Sequence, residues 1–159
     1  MTATTCASVL LLSTMGFLPA KHPRIVSTVA ALSKHLEREG SVWRFHPRSQ
    51  GHPEMQLDDM EGAFPPCTFW LASALARMGR VDDAAAILDK VDAAYGRSGI
   101  YPEEADPHTG AALGNMPLLF SHAEHLKAVM DCARASPITH LMLGAGKLAR
   151  RVLRLIGHH

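Results

Sequence analysis

A chain of 159 residues fits one domain and is long enough to bury a core. Its 47% hydrophobic content and formal net charge of +1 are those of an ordinary globular chain and argue against a dedicated nucleic-acid binder. No stretch is long and apolar enough to span a membrane; the run Val9-Leu10-Leu11-Leu12 lacks the basic flank of a signal peptide and is broken by Ser13, Thr14 and Gly16.

Residues 4–15 read as a short apolar helix ended by Gly16. Pro23 starts the next helix, because its missing N–H is not needed in a first turn. That helix is expected to run to about Glu39, with Ile25, Val29, Leu32 and Leu36 at helical spacing and Gly40 as its stop. Val42-Trp43-Arg44-Phe45 alternates and reads as a short extended piece. Residues 46–60, rich in His, Pro and Asp, read as a loop.

Residues 64–78 are apolar on nearly every face until Arg77, and a helix apolar all round is buried all round. Phe69 and Trp70 belong to that core. Residues 81–95 differ. Asp82 and Asp83 occupy the first turn, where the helix dipole favours negative charge. Ala84, Ile87, Leu88, Val91 and Ala94 then form one stripe, opposite Asp89, Lys90 and Asp92. A buried helix joined by Gly79-Arg80 to a one-sided helix is the repeating unit of an α/α barrel. Residues 96–116 read as a loop punctuated by Gly and Pro, with a turn at Asp106-Pro107. A helix spans about 117–134, with Ser121 or Asn115 as its cap. A last helix opens at Ser136-Pro137 and runs to about Ile156.

Charge is unevenly spread. Residues 1–131 carry 11 Lys and Arg against 15 acids, and residues 132–159 carry five basic residues and no acid. The final segment is therefore a basic amphipathic helix, expected to pack on the body of the domain. Cys6, Cys67 and Cys132 have no metal-ligand spacing and make no even disulfide set, so they read as buried thiols in a reducing cytoplasm. The histidines show no metal spacing either, although His122 and His125 share a helix face. No metal or other cofactor is implied.

Glu103, Glu104 and Asp106 place three carboxylates within four positions of a Pro- and Gly-bounded loop, beside Ile100 and Tyr101. Bringing one of them against an apolar wall would raise its pKa and make it a base. A solvated acidic loop is the plainer reading of the same spacing.

Three segments in this order change that weighting: EGAFPPCTFWLASALARMGRVDDA from Glu61, YPEEADPHTG from Tyr101, and LGNMPLLFSH ending at His122. Together they resemble the C-terminal part of the catalytic domain of glycoside hydrolase family 15, the glucoamylases and trehalase-like enzymes. The likeness covers roughly residues 8–133, the last third or so of a full family domain. It implies an all-α fold, a partial (α/α)6 barrel with about two and a half to three helical hairpins present. Residues 1–135 would be that barrel portion, with 136–159 outside the likeness.

The resemblance puts the general base of an inverting reaction on Glu103, within Pro102-Glu103-Glu104. Inversion needs a second carboxyl, the general acid, roughly 6.5–9.5 Å from the base to leave room for water. Nothing in residues 1–60 matches the family's acid segment, so the chain alone is expected to be inactive. Implied sugar contacts are Glu61 and Phe64 at the head of the buried helix, Glu104, Phe120 and His122. For Glu61 a helix-dipole role is an equal alternative, and for Phe120 a place in the core is favoured. His122 would orient the Glu103 loop. The implied partners are an α-glucoside such as trehalose or an α-glucan, and the missing N-terminal half of the barrel. Apolar surface should be exposed where that half would pack. Pro65-Pro66 departs from the family pattern but is tolerable in a first turn.

Two other readings remain open. The segment from Ala74 to Val91 superficially resembles a tetratricopeptide helix pair, which needs several copies for stability, and one copy is present. The barrel portion would also serve as a sugar- or partner-binding module without hydrolysis.

Overall fold

The computed structural model describes residues 6–57, 61–96 and 98–136, with Arg48 and Ser49 in backbone only. The expected helix over 136–156 and its arginines lie outside these, apart from Ser136. Within them the architecture is helical, with two antiparallel ladders of two residues per strand.

A 3-10 turn at Ala7–Leu10 runs into α1 (Leu11–Thr14), and Gly16 ends it with φ of 75°. α2 (Pro23–Leu36) begins at its proline, and His22 Nδ1 accepts from the Arg24 N–H at 3.2 Å. Ile25, Val29, Leu32 and Leu36 are its buried face, as the spacing predicts. Its end is a correction. Glu39 and Gly40 have φ of 54° and 85°, and they turn β1 (Glu37–Arg38) back onto β2 (Ser41–Val42). Two consecutive positive φ values are what a two-residue hairpin loop requires, so Gly40 makes a turn rather than a helix stop. The extended piece after it joins the N-terminal segment, where Phe45 bridges Cys6 and the Ala7 N–H donates to Arg44 C=O at 2.7 Å.

α3 (Pro65–Arg77) is buried at every residue from Pro65 to Ala76. Its polar exceptions need partners, and Thr68 Oγ1 finds one by accepting from the Val42 N–H at 2.9 Å. α1, α2, α4 and α5 all pack against this helix. Gly79, with φ of 88°, closes it: its N–H donates to Ala76 C=O and that of Arg80 to Leu75 C=O, the two bonds of a Schellman ending. α4 (Val81–Ala94) then packs one-sidedly through Ala84, Leu88 and Val91, with Ile87 half-buried and Ala94 exposed. Asp92, expected on the solvent face, instead accepts from the buried Tyr101 hydroxyl.

The long loop contains structure that its composition hid. β3 (Glu104–Ala105) pairs with β4 (Ala112–Leu113), and Ala105 also exchanges two backbone hydrogen bonds with Ala63, each 2.9 Å. Between the strands, Asp106 accepts from the backbone of His108 and Thr109 and from the Thr109 hydroxyl, which holds its pKa below the ordinary value. α5 (Leu119–Ala135) starts without a side-chain cap. Neither expected cap acts as one: Ser121 Oγ donates to Pro102 C=O, and Asn115 turns to Glu103.

Cys67 and Cys132 are buried, whereas Cys6 is half-buried. Apolar side chains stand exposed beyond α1, at Met15 (79%) and Phe17 (72%), and along α5, at Leu119 (82%), Leu126 and Met130.

Candidate active site

The extended segment after β2 delivers Arg44 into a cluster of carboxylates at the head of α3. Its Nε lies 3.0 and 3.1 Å from the two Glu61 oxygens, and its Nη2 binds Glu61 Oε2 as well. The same Nη2 reaches Glu104 Oε1 at 3.5 Å. The guanidinium lies 4.9 Å from the Phe64 ring centroid, so charge pairing and ring stacking share one side chain. The hydrogen bond to Glu61, ahead of the opposing cost of burial, raises the Arg44 pKa still further.

Glu104 is pushed the other way. Burial first, and the Glu61 charge second, raise its carboxyl above the ordinary value against the pull of Arg44 and of the Gly62 N–H. That N–H donates to Glu104 Oε2 at 3.3 Å. Gly62 is constrained by close approach: a Cβ there would lie 2.7 Å from the Ala105 carbonyl oxygen and 2.8 Å from Leu113 Cδ1. Trp43 Nε1 donates to Glu61 C=O at 3.1 Å and fixes the backbone on the other side. Behind the cluster, burial pushes the Cys67 thiol well up, so it is a packing group and not a nucleophile.

Glu103 is held differently. Its Oε2 accepts from Asn115 N–H at 3.1 Å and from Asn115 Nδ2 at 2.7 Å. In return its own N–H donates to Asn115 C=O at 2.8 Å. Among the described residues nothing donates to Oε1. Gly114, with φ of 68°, brings the turn in under the carboxylate, and a Cβ there would meet Glu103 Oε2 at 3.0 Å. Upstream, the Tyr101 N–H donates to His122 Nε2 at 3.2 Å. Burial, then the neighbouring His125, lowers the His122 pKa.

The expected site residues therefore divide. Glu61, Phe64 and Glu104 gather around Arg44, Glu103 immediately precedes Glu104 and binds Asn115 instead, and His122 reaches the loop that carries it. The even choice for Glu61 between sugar contact and helix dipole omitted its actual partner, Arg44. Phe120 is not core: it is 43% exposed, and its ring meets Trp70 edge-on with 5.9 Å between centroids. No ring stacking or hydrogen bond joins it to the carboxylates among the described residues. Sequence reasoning missed Arg44, Asn115 and Tyr101. The signal for Arg44 was a lone charge in the alternating run Val42 to Phe45. No group of three or more His, Cys, Asp or Glu could hold a metal ion among the described residues.

The family model for glycosyl hydrolases family 15 matches residues 4–130. The chain belongs to glycosyl hydrolase family 15. Its family 15 relatives include the trehalase of Mycolicibacterium smegmatis, 36% identical over 129 residues, and that of Mycobacterium tuberculosis, 36% identical over 131. The trehalase of Thermoplasma acidophilum is 34% identical over 116 residues. These alignments cover 81%, 81% and 73% of this chain but only 19%, 18% and 19% of the relatives, so the chain spans about a fifth of their length. A solved wild-type glycosidase superposes with a TM-score of 0.67 at 21% identity, over 86% of this chain and 38% of that one. A glycosidase variant in complex with glucose gives 0.65 over the same shares. The family 15 fold is the (α/α)6 barrel, and the helices described above are a partial one.

Proposed function

We propose that this family 15 chain is the base-bearing C-terminal portion of an inverting α-glucoside hydrolase, with trehalose as the first substrate to test because the relatives are trehalases. Glu103 is the general base. The observation that carries this is its two-sided carboxylate: one oxygen is fixed by Asn115, while the other accepts no bond among the described residues. Glu61 and Glu104 are instead drawn onto Arg44. A base must hold its orientation and still have a lone pair for water. The general acid lies outside these residues, in the remaining hairpins of the barrel, and the apolar side chains exposed beyond α1 and along α5 are where those hairpins pack. Residues 1–135 form the barrel portion, 136–159 lie outside it, and the compartment is the cytoplasm.

The chain alone should leave trehalose unhydrolysed. Joined to the upstream portion of the Mycolicibacterium smegmatis trehalase, it should hydrolyse trehalose with inversion, read by proton NMR as β-glucose and α-glucose appearing in equal amounts before mutarotation. Glu103→Gln in that joined protein should lower kcat by about 10²–10⁴-fold, the usual worth of a general base. Activity that survives the substitution would overturn the assignment. A second reading, sugar binding without hydrolysis, draws on the exposed Phe120 ring. Calorimetric titration of the chain with trehalose and maltose tests it, with binding that Phe120→Ala removes as the supporting result.

A further inference from the structure

We propose that Tyr101 and His122 are positioning residues for Glu103, mooring its loop to α5 only while His122 is a neutral acceptor. This rests on the reading of Glu103 as the base. The loop has little regular structure of its own, yet every backbone donor and acceptor from Tyr101 N–H to Glu103 N–H is engaged. Tyr101 C=O accepts from Leu118 N–H at 3.0 Å, Pro102 C=O from Ser121 Oγ at 2.7 Å, and Glu103 N–H donates to Asn115 C=O at 2.8 Å. The remaining bond is Tyr101 N–H to His122 Nε2. Three of these four contacts come from the start of α5 or the residue just before it.

The Tyr101 side chain makes the mooring rigid. It is buried at 3% exposure, edge-on to Phe69 with centroids 5.3 Å apart. Its hydroxyl donates to Asp92 Oδ1 on α4 at 2.6 Å and lies 3.1 Å from His125 Nε2. A shift of the loop would thus break contacts to three helices.

The direction of one bond sets the condition. A backbone N–H can only donate, so His122 Nε2 must carry a lone pair, which assigns the ring proton to Nδ1. Protonation places an N–H against an N–H and removes the bond. The titratable groups around the ring are His125 on α5, Tyr101 on the loop and, through them, Asp92 on α4. Burial and His125 both favour the neutral ring. A lowered folded-state pKa contributes stability that is present above the ordinary imidazole value and lost as pH falls through the lowered one. The loop should therefore be moored at neutral pH and released on acidification.

The test is NMR on the labelled chain, reading amide protection at Tyr101 and the side-chain carboxyl-carbon resonance of Glu103. In the wild type, Tyr101 protection should fall about ten-fold as His122 titrates, the worth of one hydrogen bond. His122→Gln keeps an acceptor that cannot be protonated, so protection should persist to lower pH. His122→Phe should loosen Tyr101 and move the Glu103 carboxyl-carbon resonance at every pH, while protection in α3 stays as in the wild type. Tyr101→Phe should move the Glu103 resonance and leave the His122 dependence in place. Wild-type behaviour in His122→Phe, or the same acid-induced loss in His122→Gln, would overturn the proposal. None of these readouts needs hydrolysis. If the mooring holds and Glu103→Gln remains active in the joined protein, the base assignment fails and the mooring stands.

Discussion

Arg44 serves two carboxylates with one guanidinium, and this division governs how the cluster responds to charge. Removing it leaves Glu61, 10% exposed in its side chain, beside Glu104 with no opposing charge. Arg44→Met keeps the stem over Phe64 and deletes the charge. It should destabilise the fold at pH 7 by roughly 1–3 kcal/mol, the lower end being favoured because the arginine is itself partly exposed. Urea titration measures this. Glu104 already has a raised pKa, so its stabilising contribution is full below the unfolded value and is lost as pH rises through the raised one. Without Arg44 that rise is steeper, and the gap between variant and wild type should close in acid. Little of this was legible in the sequence. Glu61 and Glu104 stood out as acids near an expected site. Their shared partner lies 17 residues before one and 60 before the other, a distance that no local pattern encodes.

The elements divide by the range of the interactions that make them. α3 and α4 were readable because burial on all faces and burial on one face leave different periodicities in a single stretch of chain. The hairpin at residues 37–42 and the ladder between β3 and β4 were not, since strands of two residues carry no period. Ser121 shows the same limit. Its spacing to Glu124 mimics a capping box, but the hydroxyl is spent on a carbonyl 19 residues earlier in the chain. Ser121→Ala should therefore leave helix content unchanged and cost about 1–3 kcal/mol by orphaning the buried Pro102 carbonyl. Far-ultraviolet circular dichroism with a thermal melt separates this from a lost cap, which would fray the helix start as well.

At the scale of the whole molecule, apolar side chains stand exposed beyond α1 and along α5, two places that Arg77 ties together by bonding Ser13 C=O and Asp131. Patches of this kind mark surfaces that associate. The described portion should bind a hydrophobic dye and self-associate with rising concentration. Leu119→Lys with Phe17→Lys should reduce both without lowering the melting temperature, because neither side chain is in the core. Light scattering and dye fluorescence read the outcome, and association unchanged by the pair would place the sticky surface elsewhere. The architecture was legible through its buried and one-sided helices. The side-chain geometry of the site was not, because it is assembled from four separate stretches of chain that meet only after those helices have packed.

The Ala63–Ala105 bridge has a consequence for how such a site can change. Glu61 lies two residues before one member of the bridge, and Glu104 immediately precedes the other. The spacing between the two acidic positions is thus gauged by main chain, which every amino acid shares. A substitution at 61 or 104 therefore alters the charge balance around Arg44 and leaves the backbone spacing of the two positions as it is.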